Sequence, residues 1–360
     1  MKNTKIGILT LPFNYNYGGI LQTYALQRFL IANGYDTYHI YRDFPEKNKA
    51  TQIIKDLIKL IIGKNKKTRF EGTLIRKFFD EKVVPKTHRI RTLSDLKKLH
   101  KYGFTTFIVG SDQVWRKACI YGDLKTNYFL DFPKDDVNRI SYAASFGVDN
   151  WEFTSEETVK LKTLLQKFSA VSVRENSGIK LCEEHMGVAA NHVPDPVWLL
   201  KAEDYRQLIA QESERTEVNG ECLAYVLDST DEKKKIIQDA AEKLGYQTFT
   251  ISYGNNGVKP SVITWLKAFA EAKFVVTDSF HGCVFSILFN KPFLVIGNIT
   301  RGLSRFSSVL SELNLENRMI FTEKDDYLAI VGKPIDWDTI NKEIEEKRAK
   351  ARNFIFSSIK

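Results

Sequence analysis

The residues best suited to chemistry in this sequence lie in segment 277–282, which reads Thr-Asp-Ser-Phe-His-Gly. A short apolar run over 274–276 precedes this segment, and apolar residues at helical spacing follow it over 283–289. The pattern predicts a strand, a polar turn and a helix, and the next apolar run completes a βαβ unit. Ligands of parallel sheets bind where such turns leave the carboxyl ends of the strands. His281 therefore stands where an imidazole could exchange protons with a substrate near neutral pH.

Two other polar residues of the same turn, Asp278 and Ser279, have two possible roles. Their side chains could contact a substrate, or they could only cap the helix that follows, for which both residue types are suited. Gly282 lets the backbone approach a partner closely. Because a helix cap requires no imidazole, His281 is the favoured catalytic residue, and Asp278 and Ser279 are substrate-binding candidates.

Small or polar residues also follow other predicted strands. A glycine pair opens the helix predicted over 20–32, which resembles a phosphate-cradling turn but lacks the rest of a dinucleotide fingerprint. Further small-polar turns follow the strands predicted over 104–109 and 139–143. Because the carboxyl ends of parallel strands share one edge, these turns should line the floor of a site. The substrate-binding candidates on this edge are Gly18, Gly19, Ser111, Asp112 and Ser145.

Three arginines are candidates for binding an anion. Arg174 follows the strand predicted over 171–173, where its guanidinium could hold a phosphate or carboxylate in bidentate geometry, or could only pair with Glu175. Arg301 and Arg305 lie beyond the strand predicted over 293–296. They could supply positive charge to a cleft, or they could be solvated loop charges.

The composition is that of a soluble globular protein. The chain has 360 residues, 43% of them hydrophobic and 27% charged, which is enough for two domains with separate cores. Its start does not resemble a signal peptide, and no apolar run reaches the roughly 20 residues of a membrane-spanning helix. The four cysteines have neither metal-ligand nor redox spacing. We therefore expect a cytoplasmic protein without a metal site.

Positive charge is concentrated in one part of the chain. Residues 42–101 contain 18 basic and 7 acidic residues, a balance of +11 that exceeds the +9 of the whole chain. Such a segment attracts anionic partners. Apolar residues at helical spacing over 52–62 predict a basic amphipathic helix, which could lie on the inner face of an anionic membrane or could only cover a sheet. Aromatic residues are sparse here, so nucleic acid is not an expected partner.

The order of the predicted elements indicates an α/β fold of two doubly wound, Rossmann-like domains that face each other across a cleft. The first domain spans 1–205 and forms the acceptor side, with a basic helical insertion at about 45–101. The second spans 215–338 and carries the turn at 277–282, and a helix follows over 339–360. This architecture is that of the GT-B glycosyltransferases.

Several short motifs occur in an order and spacing that are together specific to one family. They are Asn16-Tyr17-Gly18-Gly19 with Leu21-Gln22 and Ala25-Leu26, Gly110-Ser111-Asp112-Gln113-Val114-Trp115, residues 142–147, Ser172-Val173-Arg174-Glu175, Asp195-Pro196, and residues 277–282. In these motifs, which are spread over most of its length, the chain resembles the polysaccharide pyruvyl transferase family.

The resemblance implies a GT-B-like fold and transfer of the enolpyruvyl group of phosphoenolpyruvate to a sugar of a surface polysaccharide or its precursor, which could be lipid-linked. The product is a pyruvate ketal, and the donor is a substrate rather than a cofactor. His281 matches the catalytic histidine of the family, and Arg174 matches one of its arginines. Many members have an arginine where this chain has Ser279, and Arg301 or Arg305 could replace its charge.

Two other functions remain open. A GT-B glycosyltransferase that uses a nucleotide sugar would have the same architecture and could use the same positive charge. A non-catalytic glycan-binding relative would be consistent with Ser279 in place of the arginine.

Overall fold

The computed structural model describes residues 4–44, 73–211, 219–251, 259–297 and 302–359. Strands and helices alternate along these stretches. The strands are β1 (Lys5–Leu9), β2 (Asp36–His39), β3 (Thr106–Val109), β4 (Asn138–Ser141), β5 (Ser172–Val173), β6 (Asn191–His192), β7 (Cys222–Tyr225), β8 (Thr248–Thr250), β9 (Phe274–Thr277), β10 (Phe293–Ile296) and β11 (Met319–Ile320). The helices are α1 (Tyr17–Ala32), α2 (Thr73–Lys82), α3 (Leu93–Lys97), α4 (Leu124–Asn127), α5 (Ser155–Leu165), α6 (Asn176–Leu181), α7 (Ala202–Ala210), α8 (Asp231–Leu244), α9 (Val262–Glu271), α10 (Phe280–Leu288), α11 (Ser304–Ser311), α12 (Tyr327–Ile330) and α13 (Trp337–Ser358).

The first domain is built on a parallel sheet with the strand order β2-β1-β3-β4. The parallel pair β5–β6 extends it, because single bridges join Ile140 to Ala170 and Ala144 to Val173. All four residues of β3 and most of β1 are buried, as expected for strands covered on both faces. The order reverses between β1 and β3, which creates a crevice at their carboxyl ends.

The second domain repeats this plan with the order β11-β10-β9-β7-β8, again entirely parallel. Its order reverses between β7 and β9, so the turn after β9 leaves the sheet at the equivalent crevice. The prediction of an α/β fold with two doubly wound parallel sheets is confirmed.

Two helices begin earlier than the apolar pattern indicated. Helix α1 starts at Tyr17 because the Asn16 side chain accepts hydrogen bonds from the N–H groups of Gly18 and Gly19. Helix α10 starts at Phe280, directly after its N-cap residue. Residues predicted to lie in turns therefore occupy the first turns of helices, where side chains and free N–H groups face the same crevice.

The basic segment is described only in part. The helix predicted over 52–62 lies outside the described residues. Within the remainder, α2 and α3 follow one another beside the first sheet, and single bridges pair His39 with Lys86 and Arg42 with Ile90. Within the described stretches, no helix combines the length and apolarity needed to cross a membrane.

The two domains share a continuous apolar contact. Tyr17 at the start of α1 stacks on Trp265 of α9 with ring centroids 5.5 Å apart, and its hydroxyl donates to the Pro260 carbonyl at 2.8 Å. Helix α13 follows the second domain and returns to the first, where Arg348 Nε donates to the Trp198 carbonyl at 2.7 Å. The two crevices are therefore held opposite each other.

Candidate functional site

A cavity of about 440 Å³ lies where the two crevices meet. Its walls come from the ends of β1 and β3 in the first domain and of β7 and β9 in the second, together with the start of α11. The lining residues are Asn14, Tyr15, Asn16, Tyr17, Asp112, Gln113, Arg116, Tyr225, Leu227, Lys259, Asp278, Ser279, Phe280, His281, Arg305 and Phe306. Both topological switch points therefore open into one space between the domains, which is where a doubly wound fold places its ligands.

His281 lies in the first turn of α10 and is 6% exposed. Its ring packs against the first turn of α1 in the other domain. A Cβ added to Gly18 would lie 1.9 Å from His281 Nδ1, so any larger residue at position 18 would displace the imidazole. Nε2 is buried, with Asp195 Oδ2 at 3.6 Å, and the residue lines the cavity.

Asp195 is the nearest anion to this imidazole and is fully buried. Its Oδ2 accepts hydrogen bonds from Arg174 Nη1 at 2.7 Å and from Ser111 Oγ at 3.3 Å, while Oδ1 accepts from the Val197 N–H at 3.1 Å. Burial opposes its charged form, but His281 and Arg174 outweigh that effect and hold the pKa of Asp195 well below its usual range. A carboxylate is thus maintained beside the imidazole.

Arg174 lies beneath the cavity rather than in its lining. Besides Asp195, its guanidinium contacts Glu175 Oε1 through Nε at 3.2 Å, and its centre lies 4.6 Å from the Phe280 ring. Burial alone would lower the pKa of Arg174, but the surrounding carboxylates Glu175, Asp195 and Asp112 raise it. The geometry leaves the binding of a substrate anion by Arg174 a prediction, because carboxylates hold Nε and Nη1 while Nη2 has no hydrogen-bond partner among the described residues. It favours the ion-pair alternative and gives this residue a supporting position.

The other candidates of the first domain separate into lining and supporting residues. Asp112 lines the cavity with a positive φ of 72°, and Gly19 lies beside it, since an added Cβ would be 3.2 Å from Asp112 Oδ2. Ser111 and Ser145 are completely buried, and the Ser145 hydroxyl donates to Glu175 Oε1 at 2.5 Å. The two serine hydroxyls therefore donate to buried carboxylates, and their role in substrate binding stays a prediction.

The two polar residues of the turn after β9 have different partners within the protein. Ser279 is the N-cap of α10, and its hydroxyl accepts from the Gly282 N–H at 3.3 Å. Asp278 accepts from Lys233 Nζ at 2.6 Å and from the N–H groups of Leu227 and Asp228. Both residues border the cavity, but these contacts make their side chains structural parts of its wall.

Among the described residues, the cations that line the cavity are Arg305, Arg116 and Lys259. Arg305 is the second residue of α11 and is 8% exposed. Its guanidinium lies 5.7 Å from the Phe280 ring. Burial, followed by the nearby Arg174, lowers the pKa of Arg305 to about 10, so it remains a cation at neutral pH. Arg116 donates to Gln113 Oε1 at 2.7 Å. The second arginine proposed from the sequence, Arg301, lies outside the described residues.

The sequence interpretation missed Asp195, Arg116 and Lys259 as site residues. Asp195 had one signal, its place in the Asp-Pro motif, but nothing local indicated that it would meet His281 from another domain. Arg116 follows a recognised motif by one residue, and Lys259 precedes a helix without any distinguishing pattern. Their importance comes from long-range contacts that spacing along the chain does not show.

Solved structures with a similar fold include UDP-N-acetylglucosamine 2-epimerase from Rickettsia bellii, with a TM-score of 0.55 and 9% identity over 99% of this chain and 97% of that one. The UDP-GlcNAc 2-epimerase from Methanocaldococcus jannaschii gives 0.50 and 11% identity over 95% and 92%. These similarities show a GT-B fold. Comparison with curated protein sequences finds no match. The model of the polysaccharide pyruvyl transferase family matches residues 16–300, and the chain belongs to this family of transferases.

Proposed function

We propose that the protein transfers the enolpyruvyl group of phosphoenolpyruvate to a sugar of a surface polysaccharide or its precursor, with His281 as the acid–base residue. The observation that carries the proposal is the composition of the cavity. A buried imidazole with a carboxylate at its back faces the same space as the guanidinium groups of Arg305 and Arg116. Acid–base chemistry and anion binding are the two tasks that this donor requires.

The reaction joins one donor to two hydroxyl groups of the acceptor. The methylene carbon of phosphoenolpyruvate gains a proton and becomes a methyl group, while C2 forms bonds to two sugar oxygens. The bond from C2 to the phosphate oxygen breaks. The two hydroxyls lose two protons, of which one balances the new methyl group and the other leaves with inorganic phosphate. A residue that both donates and accepts protons is therefore needed beside C2.

His281 is suited to this step because it lines the cavity and has the carboxylate of Asp195 3.6 Å from its Nε2. The imidazolium can deliver a proton to the methylene carbon, and the neutral ring can then receive one from a sugar hydroxyl. Arg174 and Ser111 hold Asp195 in place, so the imidazole keeps its orientation while the substrate reacts.

The donor carries a carboxylate and a phosphate, and both need cations. Arg305 supplies a desolvated guanidinium, which binds anions more strongly than an exposed one because little water has to be displaced. Arg116 and Lys259 border the same cavity from the other domain and from the loop before α9. In this assignment Arg305 replaces the arginine that many family members have at the position of Ser279.

The acceptor would enter along the first domain. Asn14, Tyr15, Asn16 and Gln113 line that side of the cavity and provide amide groups and an aromatic ring suited to sugar hydroxyls and sugar faces. A lipid-linked acceptor would place the protein at the inner face of a membrane, where the basic segment 42–101 could contact anionic lipid. The cytoplasm, where phosphoenolpyruvate is available, is the location proposed here.

Calorimetry with phosphoenolpyruvate on wild type, Arg305→Gln and His281→Gln tests the proposal. We expect wild-type binding that weakens about tenfold or more in Arg305→Gln, equivalent to about 1.4 kcal/mol. His281→Gln should retain most of the affinity and lose turnover. Lys235→Gln removes a charge from an exposed pair on α8 and serves as the control. No binding by the wild type would overturn the donor assignment. Nucleotide-sugar binding would then support a glycosyltransferase, and glycan binding without turnover a non-catalytic relative.

A further inference from the structure

A histidine outside the cavity joins the two domains. His192 ends β6 in the first domain, and its Nε2 lies 2.8 Å from the Arg174 carbonyl. On the other side of the ring, Nδ1 lies 2.8 Å from Glu312 Oε1. Glu312 directly follows α11, which belongs to the second domain. The His192 ring thus connects the backbone of Arg174, whose side chain holds Asp195 behind His281, to the helix that carries Arg305.

The hydrogen-bond partners determine the protonation state of this ring. A carbonyl oxygen and a carboxylate both accept, so each ring nitrogen must carry a hydrogen, and only the imidazolium satisfies both contacts. Burial lowers the pKa of His192, but Glu312, the Arg174 carbonyl and the Glu175 charge outweigh it, and the pKa is raised. Other charged groups lie around His192. Lys347 of α13 is 3.0 Å from Glu312 Oε2, and the buried Arg174 and Asp195 lie nearby.

Helix α11 contacts the first domain at both ends. Before its start, Gly302 packs so closely on Gly147 that an added Cβ would lie 2.2 Å from the Gly147 carbonyl oxygen. Within the helix, Ser308 Oγ accepts a hydrogen bond from the Asn176 N–H at 3.3 Å. The contact between His192 and Glu312 completes this set at the far end. It is the charged member of the set and therefore the one that can be altered without changing the packing.

We propose that His192 and Glu312 are positioning residues whose charged hydrogen bond holds α11 against the ends of β5 and β6, so that Arg305 and His281 act on the same donor molecule. The effect passes through two connections. Glu312 sets the helix that carries Arg305, and His192 holds the backbone of Arg174, whose side chain holds Asp195 behind His281. The inference concerns how the domains are held, and its catalytic consequence rests on the proposed function.

The first test is kinetic and uses the full-length chain. In Glu312→Gln we expect the KM for phosphoenolpyruvate to rise roughly tenfold while kcat stays within about twofold, because saturating donor can draw the domains together again. The wild-type KM should also rise as the pH increases through the raised pKa of His192, and this rise should disappear in the variant. Apart from Glu312, the two proteins have the same titratable groups, so the difference between their pH profiles reports on the contact between His192 and Glu312. Glu203→Gln, in an exposed pair on α7, controls for the lost charge.

Two further measurements need no activity. Nuclear magnetic resonance of labelled histidines should show His192 titrating above its ordinary value in the wild type and lower in Glu312→Gln. Small-angle X-ray scattering should show a larger radius of gyration in the variant. If His192 titrates identically in both proteins, the contact does not form in solution and the inference fails. If the titration shifts but KM and scattering do not change, the contact forms without positioning the domains, which also overturns it.

These outcomes distinguish the two proposals. Failure of the wild type to bind phosphoenolpyruvate would overturn the donor assignment, and the titration and scattering would still decide whether His192 and Glu312 hold the domains. Normal donor binding with an unchanged KM in Glu312→Gln would leave the proposed function standing and remove the positioning role.

Discussion

Gly18 of the first domain and His281 of the second contact each other across the cleft. The absence of a side chain at position 18 makes room for the imidazole, since a Cβ there would approach Nδ1 to 1.9 Å. Such a distance is far shorter than a van der Waals contact. No side chain larger than that of glycine therefore fits at position 18 while the imidazole keeps its place. The contact explains why a glycine occupies the first turn of a buried helix, where it would otherwise reduce helix stability.

Gly18→Ala should therefore damage the site more than the fold. The new methyl group displaces the imidazole or opens the cleft, while alanine itself favours the helix by up to about 1 kcal/mol. We expect a loss of turnover of about a hundredfold or more, with a small change in melting temperature. Gly19→Ala is the matched comparison, because the nearest atom to its Cβ would be Asp112 Oδ2 at 3.2 Å, so it should cost much less activity. Equal losses in both would contradict the contact.

Asp195→Asn tests the carboxylate behind the imidazole. His281 loses the carboxylate that lies 3.6 Å from its Nε2, so turnover should fall by about a hundredfold or more. Arg174 loses one of its buried charge partners, which should lower the free energy of unfolding by about 3 kcal/mol. Ser111→Ala keeps the carboxylate and removes only one hydrogen bond, so its loss of turnover should stay below about tenfold. Full turnover in Asp195→Asn would remove Asp195 from the proposed mechanism.

The ion pair between Asp278 and Lys233 should be important for folding rather than for substrate binding. Asp278 is completely buried and the two groups lie 2.6 Å apart, so Asp278→Asn leaves a buried ammonium without its carboxylate. We expect a loss of about 3–5 kcal/mol in the free energy of unfolding, measured with urea. Lys233→Met combined with Asp278→Asn should recover part of that loss, since no charge is then left unpaired. Should the double variant be the least stable of the set, this account would be wrong.

His39 predicts how stability depends on pH. Burial, and then the charge of Lys86, lower its pKa to about 3, so it is neutral when the protein is folded and protonated below about pH 6.5 when unfolded. The unfolded chain binds the extra proton, so stability should fall as the pH drops from about 6.5 towards 3, by at most about 1.4 kcal/mol per unit. Urea unfolding at pH 7 and pH 5 measures this, and the drop should shrink in His39→Leu. An identical drop in that variant would assign the effect to other groups.

Local sequence patterns were sufficient for the elements that form the cleft. Apolar runs followed by capping residues located β9 and α10, and the same logic located β1 and α1, because strand and helix periodicity depend on near neighbours in the chain. Knowing that the elements alternate was enough to infer parallel sheets and ligand-facing turns. The apolar pattern does not show the exact helix starts, because Asn16 and Ser279 cap helices whose first turns contain glycine and resemble loop turns.

The roles of the polar residues in those turns could not be predicted from local sequence patterns. The sequence identified His281 as the side chain with no structural need to be there, and it identified Arg174 and Asp278 as polar groups at strand ends. Only the folded chain shows that Arg174 turns inward to three carboxylates and Asp278 to Lys233, while Arg305 reaches the cavity. The reason is physical: a buried charge takes whatever partner the opposing element offers, and that partner is far away in the chain.

The sequence by itself thus determined the two doubly wound domains and the histidine at the edge of the second sheet, because both follow from local periodicity and residue chemistry. The tertiary structure alone decided what stands around that histidine: Gly18 against one side of the ring, Asp195 behind it and Arg305 across the cavity. Those neighbours come from three separate parts of the chain and meet only when the domains close on one another.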